Sequence, residues 1–272
     1  VTAGSLINFC DCLMAGGTGR RNHSEIGSSY IHFNFTPHQD KATASLIGDV
    51  PRGVLLNQPA IFLGGQGGLV GPCVIEYGTV IPAGQIWRGD VTEPGRLVAK
   101  VAFRKSINMA YDPRQYHGVG RVLRNNLLYL GNILALDVWY RVVRAPFMAV
   151  DPFQAACHAG ARRRLAEILD ERLSRLDELA KKVALSLDLG SPNPAADEHR
   201  AFVDRWPELK AALRALVDGR ETLAVPEAVA ALVLSLPKDN YLRAIQTLTA
   251  EGARTLSSWL AACPAATAAL QK

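Results

Sequence analysis

Residues 61–90 read IFLGGQGGLVGPCVIEYGTVIPAGQIWRGD, a run in which every sixth residue from Leu63 is large and apolar: Leu63, Leu69, Ile75, Ile81 and Trp87. The residues just before the last three are Val74, Val80 and Ile86. A period of six is neither that of a helix nor that of a flat strand. It is the pattern of a parallel β-helix built from hexapeptides, in which each unit makes one short strand and one corner and sends its large aliphatic side chain inward. Gly78 and Gly84 recur on the same step, where a corner favours a residue without a Cβ. Units three apart, such as Leu63 and Ile81, are expected to stack on one face of successive coils.

The surrounding chain of 272 residues, 49% hydrophobic, is long enough for one large or two ordinary domains with a substantial core. This is not a disordered or fibrous composition. A formal charge of +5 and a pI near 9.0 suit anionic small molecules as well as they suit nucleic acid. The five cysteines are odd in number and scattered, which argues against a disulfide framework and for a reducing, cytoplasmic compartment. Cys10 and Cys12 alternate on one strand face without further ligands at useful spacing, so no metal site is expected. No initiator methionine or leader pattern precedes Val1, and the chain reads as the carboxyl-terminal part of something longer. The most apolar run, Leu127 to Val143, contains Asn132 and Asp137 and falls short of the roughly 20 residues of a membrane span, so a buried helix is expected there.

Upstream of the hexads, a short apolar strand at 6–14 leads into the glycine turn AGGTGRR. A phosphate-cradling loop needs a helix after the glycines, and no helix pattern follows Gly19, so a plain corner is the stronger expectation. Residues 23–49 are polar and rich in histidine, with His23, His32 and His38 close together. Polar loops beside a rigid scaffold are where binding chemistry concentrates. On a short strand His32 and Asn34 share one side.

The segments NHSEIG, NFTPHQDKATASLIGD and GGQGGLVGPCVIEYGTVIPAGQIWRGDV, which cover about the first third of the chain, resemble the UDP-N-acetylglucosamine pyrophosphorylase / glucosamine-1-phosphate acetyltransferase family, in its carboxyl-terminal acetyltransferase domain. The resemblance implies a left-handed β-helix that assembles as a homotrimer, with acetyl-CoA along the groove between prisms and a histidine acting as general base on an amino sugar phosphate. It implies His23, or the rival His32, as that catalytic base. It further implies Asn34, Phe35, Lys41 and Thr43 around the sugar phosphate, and Gly65 and Ala83 at the coenzyme A wall. An imidazole titrating near neutrality can take an ammonium proton, and a lysine can hold a phosphate. Departures from the family pattern are visible: Thr36 and Pro37 stand where the family has aspartate and glycine. Gly65 and Gln66 replace its serine and aspartate.

Beyond Pro94 and Gly95 the composition shifts. Residues 98–114 read as a connecting arm, and from Tyr116 the pattern is helical, with Leu123, Leu127, Leu130, Leu134 and Val138 on one face. Asp151 followed by Pro152 marks a helix start. The helix from Pro152 to Leu189 carries the stripe Ala166, Leu169, Leu173, Leu176, Ala180, Val183 and Leu187, with acid-before-base pairs such as Glu171 with Arg175 on its outer side. Arg162 to Arg164 make a basic cluster within one turn. Shorter helices are expected near 198–217, 226–236 and 240–262, forming an antiparallel bundle.

The fold class expected is therefore a left-handed parallel β-helix over 1–97, an arm over 98–114 and an α-helical domain over 115–272. The function expected from the resemblance is a sugar-nucleotide pathway transferase, acetyl-CoA-dependent N-acetyl transfer to an amino sugar phosphate being the chemistry of this part. The alternative is a non-catalytic trimerising scaffold, or regulatory domain, of a sugar-1-phosphate nucleotidyltransferase. A sugar phosphate or sugar nucleotide is the expected partner, with neither nucleic acid nor a membrane span.

Overall fold

The computed structural model describes residues 6–9, 12–15, 24–26, 30–31, 44–100, 116, 118–187 and 195–271. Ten short strands come first: β1 (Leu6–Phe9), β2 (Cys12–Ala15), β3 (Glu25–Ile26), β4 (Tyr30–Ile31), β5 (Ser45–Ile47), β6 (Phe62–Leu63), β7 (Gly68–Val70), β8 (Val74–Ile75), β9 (Val80–Ile81) and β10 (Ile86–Arg88). Apart from the antiparallel pair β1–β2, each pairs in parallel with the strand three places on, giving the orders β1-β2-β5-β8, β10-β7-β4 and β3-β6-β9. The register sets Leu63 against Ile81 and Ile47 against Ile75. Ile47, Ile61, Leu63, Leu69, Ile75 and Ile81 are buried in one cluster with Cys73, Tyr77 and Val91. At the corners Gly78 and Gly84 take φ of 74° and 72°, the left-handed region where a Cβ is penalised.

The expectation of a left-handed β-helix followed by a helical bundle does not hold. The described chain is mostly helical (64%), and its parallel sheets consist of strands of two to four residues. Two physical features account for the difference. Between Ile47 and Ile61 the chain leaves the six-residue step for the helix α1 (Val50–Gly53), started by Asp49, whose carboxylate accepts the Arg52 backbone N–H at 2.9 Å. The outer side of the β5 sheet, moreover, is not a free prism wall. Leu46, Val50, Val54, Leu55 and Leu56 belong to the core cluster of the helices. A coil this short cannot bury its own outer apolar residues, so the helices layer over them.

They are covered by α2 (Val119–Trp139), buried from Asn125 to Trp139 except at Leu128, together with the last helix of the chain, which packs on α1. The apolar stripe of α2 lies within the core, and two of its buried polar residues, Asn132 and Asp137, are matched, whereas both amide atoms of Asn125 are buried without a hydrogen-bond partner among the described residues. Asn132 Oδ1 accepts the Val50 N–H at 2.8 Å, which satisfies the first turn of α1. Asp137, 1% exposed, accepts from Arg162 Nε at 3.0 Å and Nη2 at 3.1 Å. After α2 a π-helical turn, Tyr140–Arg144, leads into the short α3 (Ala145–Met148). Pro146 has no N–H to give Val142, and the Ala145 N–H bonds five residues back to Tyr140, so the widened turn is the backbone's answer to the proline.

Asp151 caps α4 (Pro152–Leu187) by accepting the Gln154 N–H at 2.9 Å. In α4 the stripe Leu169, Leu173, Leu176, Ala180 and Val183 is buried, and α5 (Ala196–Asp218) packs along it. The tail continues as a 3₁₀ turn (Gly219–Thr222), α6 (Glu227–Ser235), α7 (Tyr241–Gln246) and α8 (Ala250–Ala269). The segment expected as one helix over 240–262 is thus two, broken where Thr249 caps α8 through the Gly252 N–H. α8 lies against α2, where a Cβ on Gly131 would overlap Pro264. The arm expected over 98–114 lies outside the described residues from 101 onward. Among the described residues no helix is long and apolar enough to cross a membrane.

Candidate functional site

His23, His32, Asn34, Phe35, Lys41 and Thr43 lie outside the described residues, as does the glycine turn after Ala15. The described part of the expected site is the coil wall with Gly65 and Ala83. Here two corners stack backbone on backbone. The Gly64 N–H bonds to the Ile81 carbonyl at 2.8 Å, the Gly84 N–H to the Gly65 carbonyl at 2.9 Å, and the Gly68 N–H to the Gln85 carbonyl at 2.8 Å. Gly64 is buried, and a Cβ there would overlap the Ala83 backbone nitrogen. Absence of a side chain at Gly64 is therefore what lets the two corners meet.

Above that contact Ala83 and Gly84 face solvent, while Gly65 is half-buried and its carbonyl is already taken. Gly65 offers a ligand neither hydroxyl nor carboxylate. The space inside the corner, between Leu63, Gly64, Leu69, Ile81 and Gln85, is about 10 Å³, enough at most for one water. Any ligand of this wall must lie outside it, against Ala83. Lys100 stands next to that outer surface: its backbone N–H is held by Gln85 Oε1 at 2.8 Å, and its ammonium lies 5.3 Å from the Trp87 ring centroid. Arg88 is exposed on the same coil. The outer wall thus combines a neutral backbone corner with cations able to meet phosphate.

A second cluster sits on the coil's flank. Arg52 bridges Asp49 and Glu76, reaching Glu76 Oε2 at 2.8 Å, and its guanidinium lies 4.9 Å from the Tyr77 ring centroid. The Tyr77 hydroxyl donates to the Asp49 carbonyl at 2.7 Å and accepts the Asp49 N–H at 3.0 Å. Partial burial opposes the charge on Arg52, yet the hydrogen bonds to Glu76 and Asp49 outweigh it and raise the guanidinium above its ordinary value. Burial likewise drives the Tyr77 phenol upward, with the Asp49 charge adding to it. With both carboxylates spent on Arg52, this cluster locks α1 to the coil and is not a free acid–base pair.

Cys73 is also sequestered: burial pushes its thiol up to about 12, against the opposing effect of its hydrogen bond with the Ser45 hydroxyl. Of the residues near the wall, Gly64, Lys100 and the Arg52 cluster escape the hexad pattern. Gly64 sits one place past an inward position, and Lys100 comes from beyond the last coil. The proline and acid of DVPRG are the one local signal for α1. Compared with protein-family models, curated proteins and solved structures, the chain has no match.

Proposed function

We propose that the chain is a sugar-nucleotide pathway transferase whose coil takes part in acetyl-CoA-dependent N-acetyl transfer to an amino sugar phosphate. The observation that carries this reading is the exposed Ala83 corner seated on Gly64, with Lys100 tied beside it through Gln85. It occurs at the position where the resemblance expects a coenzyme A backbone contact. A pantetheine arm can run along a bare backbone corner, and Lys100 and Arg88 can pair with the phosphates of coenzyme A. In the reaction the sugar amine attacks the thioester carbonyl, a C–N bond forms, the C–S bond breaks and coenzyme A leaves as the thiol. His23 or His32 takes the proton from nitrogen. Lys41 pairs with the sugar phosphate, and Asn34, Phe35 and Thr43 line the sugar.

Calorimetric titration with acetyl-CoA, followed by detection of free thiol on adding glucosamine 1-phosphate, tests the reading. Saturable binding and thiol release, abolished in a H23A/H32A double variant, is the expected result. Absence of both binding and release rejects it.

A second reading is favoured by the outward side chains of the coil. Phe62 and Leu97, on the β6–β9 side, are 39% and 72% exposed, and Ile86 is 52% exposed. Leu97 continues the ladder beyond Val80. On this reading the coil is a non-catalytic module that joins copies into a homotrimer and positions a nucleotidyltransferase domain. Sedimentation equilibrium would then give a trimer that an F62S/L97S variant dissociates, with no acetyl-CoA binding.

A further inference from the structure

Among the described residues, the first three turns of helix α4 touch the rest of the protein on one side only, through His158 stacked on Tyr140 and Arg162 paired with Asp137. From Pro152 to Arg164 no residue is buried, and the first that is buried is Leu165. The apolar residues at its tip are in solvent: Phe153 is 76% exposed, and Val150 in the preceding turn 64%. At about 100° per residue, Phe153, Cys157, Gly160 and Arg164 fall on one side of the helix. A Cβ on Gly160 would meet nothing within 4 Å, so among the described residues no other element packs against this side at Gly160.

The charge of this stretch is one-sided. Asp151 is the sole acid between Pro146 and Leu165, and it is occupied in capping α4. Arg162 turns inward to Asp137 and Glu221. Among the described residues Arg164, which faces solvent, pairs with Glu167 at 2.8 Å, and Arg163 is exposed and makes no ion pair.

We propose that this side of α4 is a docking surface for an anionic lipid bilayer. Phe153 and Val150 enter the headgroup–acyl boundary. Arg163 and Arg164, about 16 Å further along the helix, meet lipid phosphates. Apolar tip and basic run together separate this surface from its alternatives. Nucleic acid would reward the arginines and leave Val150 and Phe153 in water, whereas an anionic bilayer rewards both. The contact lies on the membrane and needs no spanning helix.

Sedimentation of the full chain with vesicles of phosphatidylcholine alone, or of equal parts phosphatidylcholine and phosphatidylserine, tests the proposal. Pelleting with the mixed vesicles only, weakened by added salt, is expected. F153S and R163E/R164E should each lower the apparent binding constant at least about tenfold while keeping the helical circular dichroism. Alkylation of the exposed Cys157 on the same side should slow when mixed vesicles are present. No pelleting with mixed vesicles at low salt overturns the proposal, as does pelleting that both variants leave unchanged. Displacement by duplex oligonucleotide with F153S still binding like the parent would assign the surface to nucleic acid and equally overturn it.

Discussion

Asp137 shows how a residue that interrupts an apolar run can be integral to a core. It is buried, chelated by Arg162, and has Arg220 Nε 3.8 Å from its second oxygen. Substituting D137N removes the charge that Arg162 and Arg220 face from inside, and should cost about 2 to 4 kcal/mol in urea unfolding, since unpairing a buried ion costs more than the pair contributes. Asp177 offers a test by pH. Hydrogen bonds from Lys210, Trp206 and Lys181 hold its carboxyl well below the usual range. A depressed folded-state value means the stabilisation is full above the unfolded value of about 4 and is lost as pH falls through the folded one. The stability gap between the parent and D177N should therefore be constant at neutral pH and narrow as the pH drops below about 4. Among the described cysteines, burial pushes the Cys73 and Cys263 thiols up to about 12 and about 11, and Cys157 is exposed. Brief iodoacetamide treatment at neutral pH, read by peptide mass spectrometry, should label Cys157 and spare the other two. Little of this was legible beforehand: the partners of Asp137 come from α4 and the 3₁₀ turn, and no local pattern links Asp137 to Arg162 or Arg220.

Helices were the most legible elements. The 3.6-residue stripe places α4 to within a few residues, because that helix buries a single face and the period survives, and the ranges expected for α5 and α6 also agree with the structure to within a few residues. The apolar run 127–143 marks α2 as a buried helix, and α2 is buried from Asn125 to Trp139 except at Leu128. Thr249 was missed as a break because the apolar spacing of 240–262 runs across it. Packing of α2 on α8 gives the prediction at this scale. G131A would gain about 1 kcal/mol of helix propensity, but its methyl would overlap Pro264 on the facing backbone, and prising the helices apart costs about 1 to 3 kcal/mol or more. Net destabilisation is the expected outcome, seen as a lower thermal midpoint. G160A, on the open side of α4, should instead stabilise by up to about 1 kcal/mol.

For the molecule as a whole, the hexad column correctly foretold which side chains point inward, because Leu63, Leu69, Ile75 and Ile81 obey a local repeat. It gave no information on what lies outside the coil, and there the expected architecture failed. Leu46, Val54 and Leu56 pack into the helical core through contacts with residues far along the chain, which no repeat encodes. A chain ending at residue 97 should consequently expose these side chains and Val50. It is expected to show weak, non-cooperative unfolding and to self-associate, as judged by thermal circular dichroism and light scattering. The bond between Val50 and Asn132 spans 82 residues of sequence. During synthesis at roughly 5–20 residues per second, Val50 and the rest of α1 leave the ribosome roughly 4 to 16 s before the asparagine that receives the Val50 N–H. For that interval the nascent chain carries a greasy seam with no lid, which makes the pause before α2 the moment at which a chaperone would matter most.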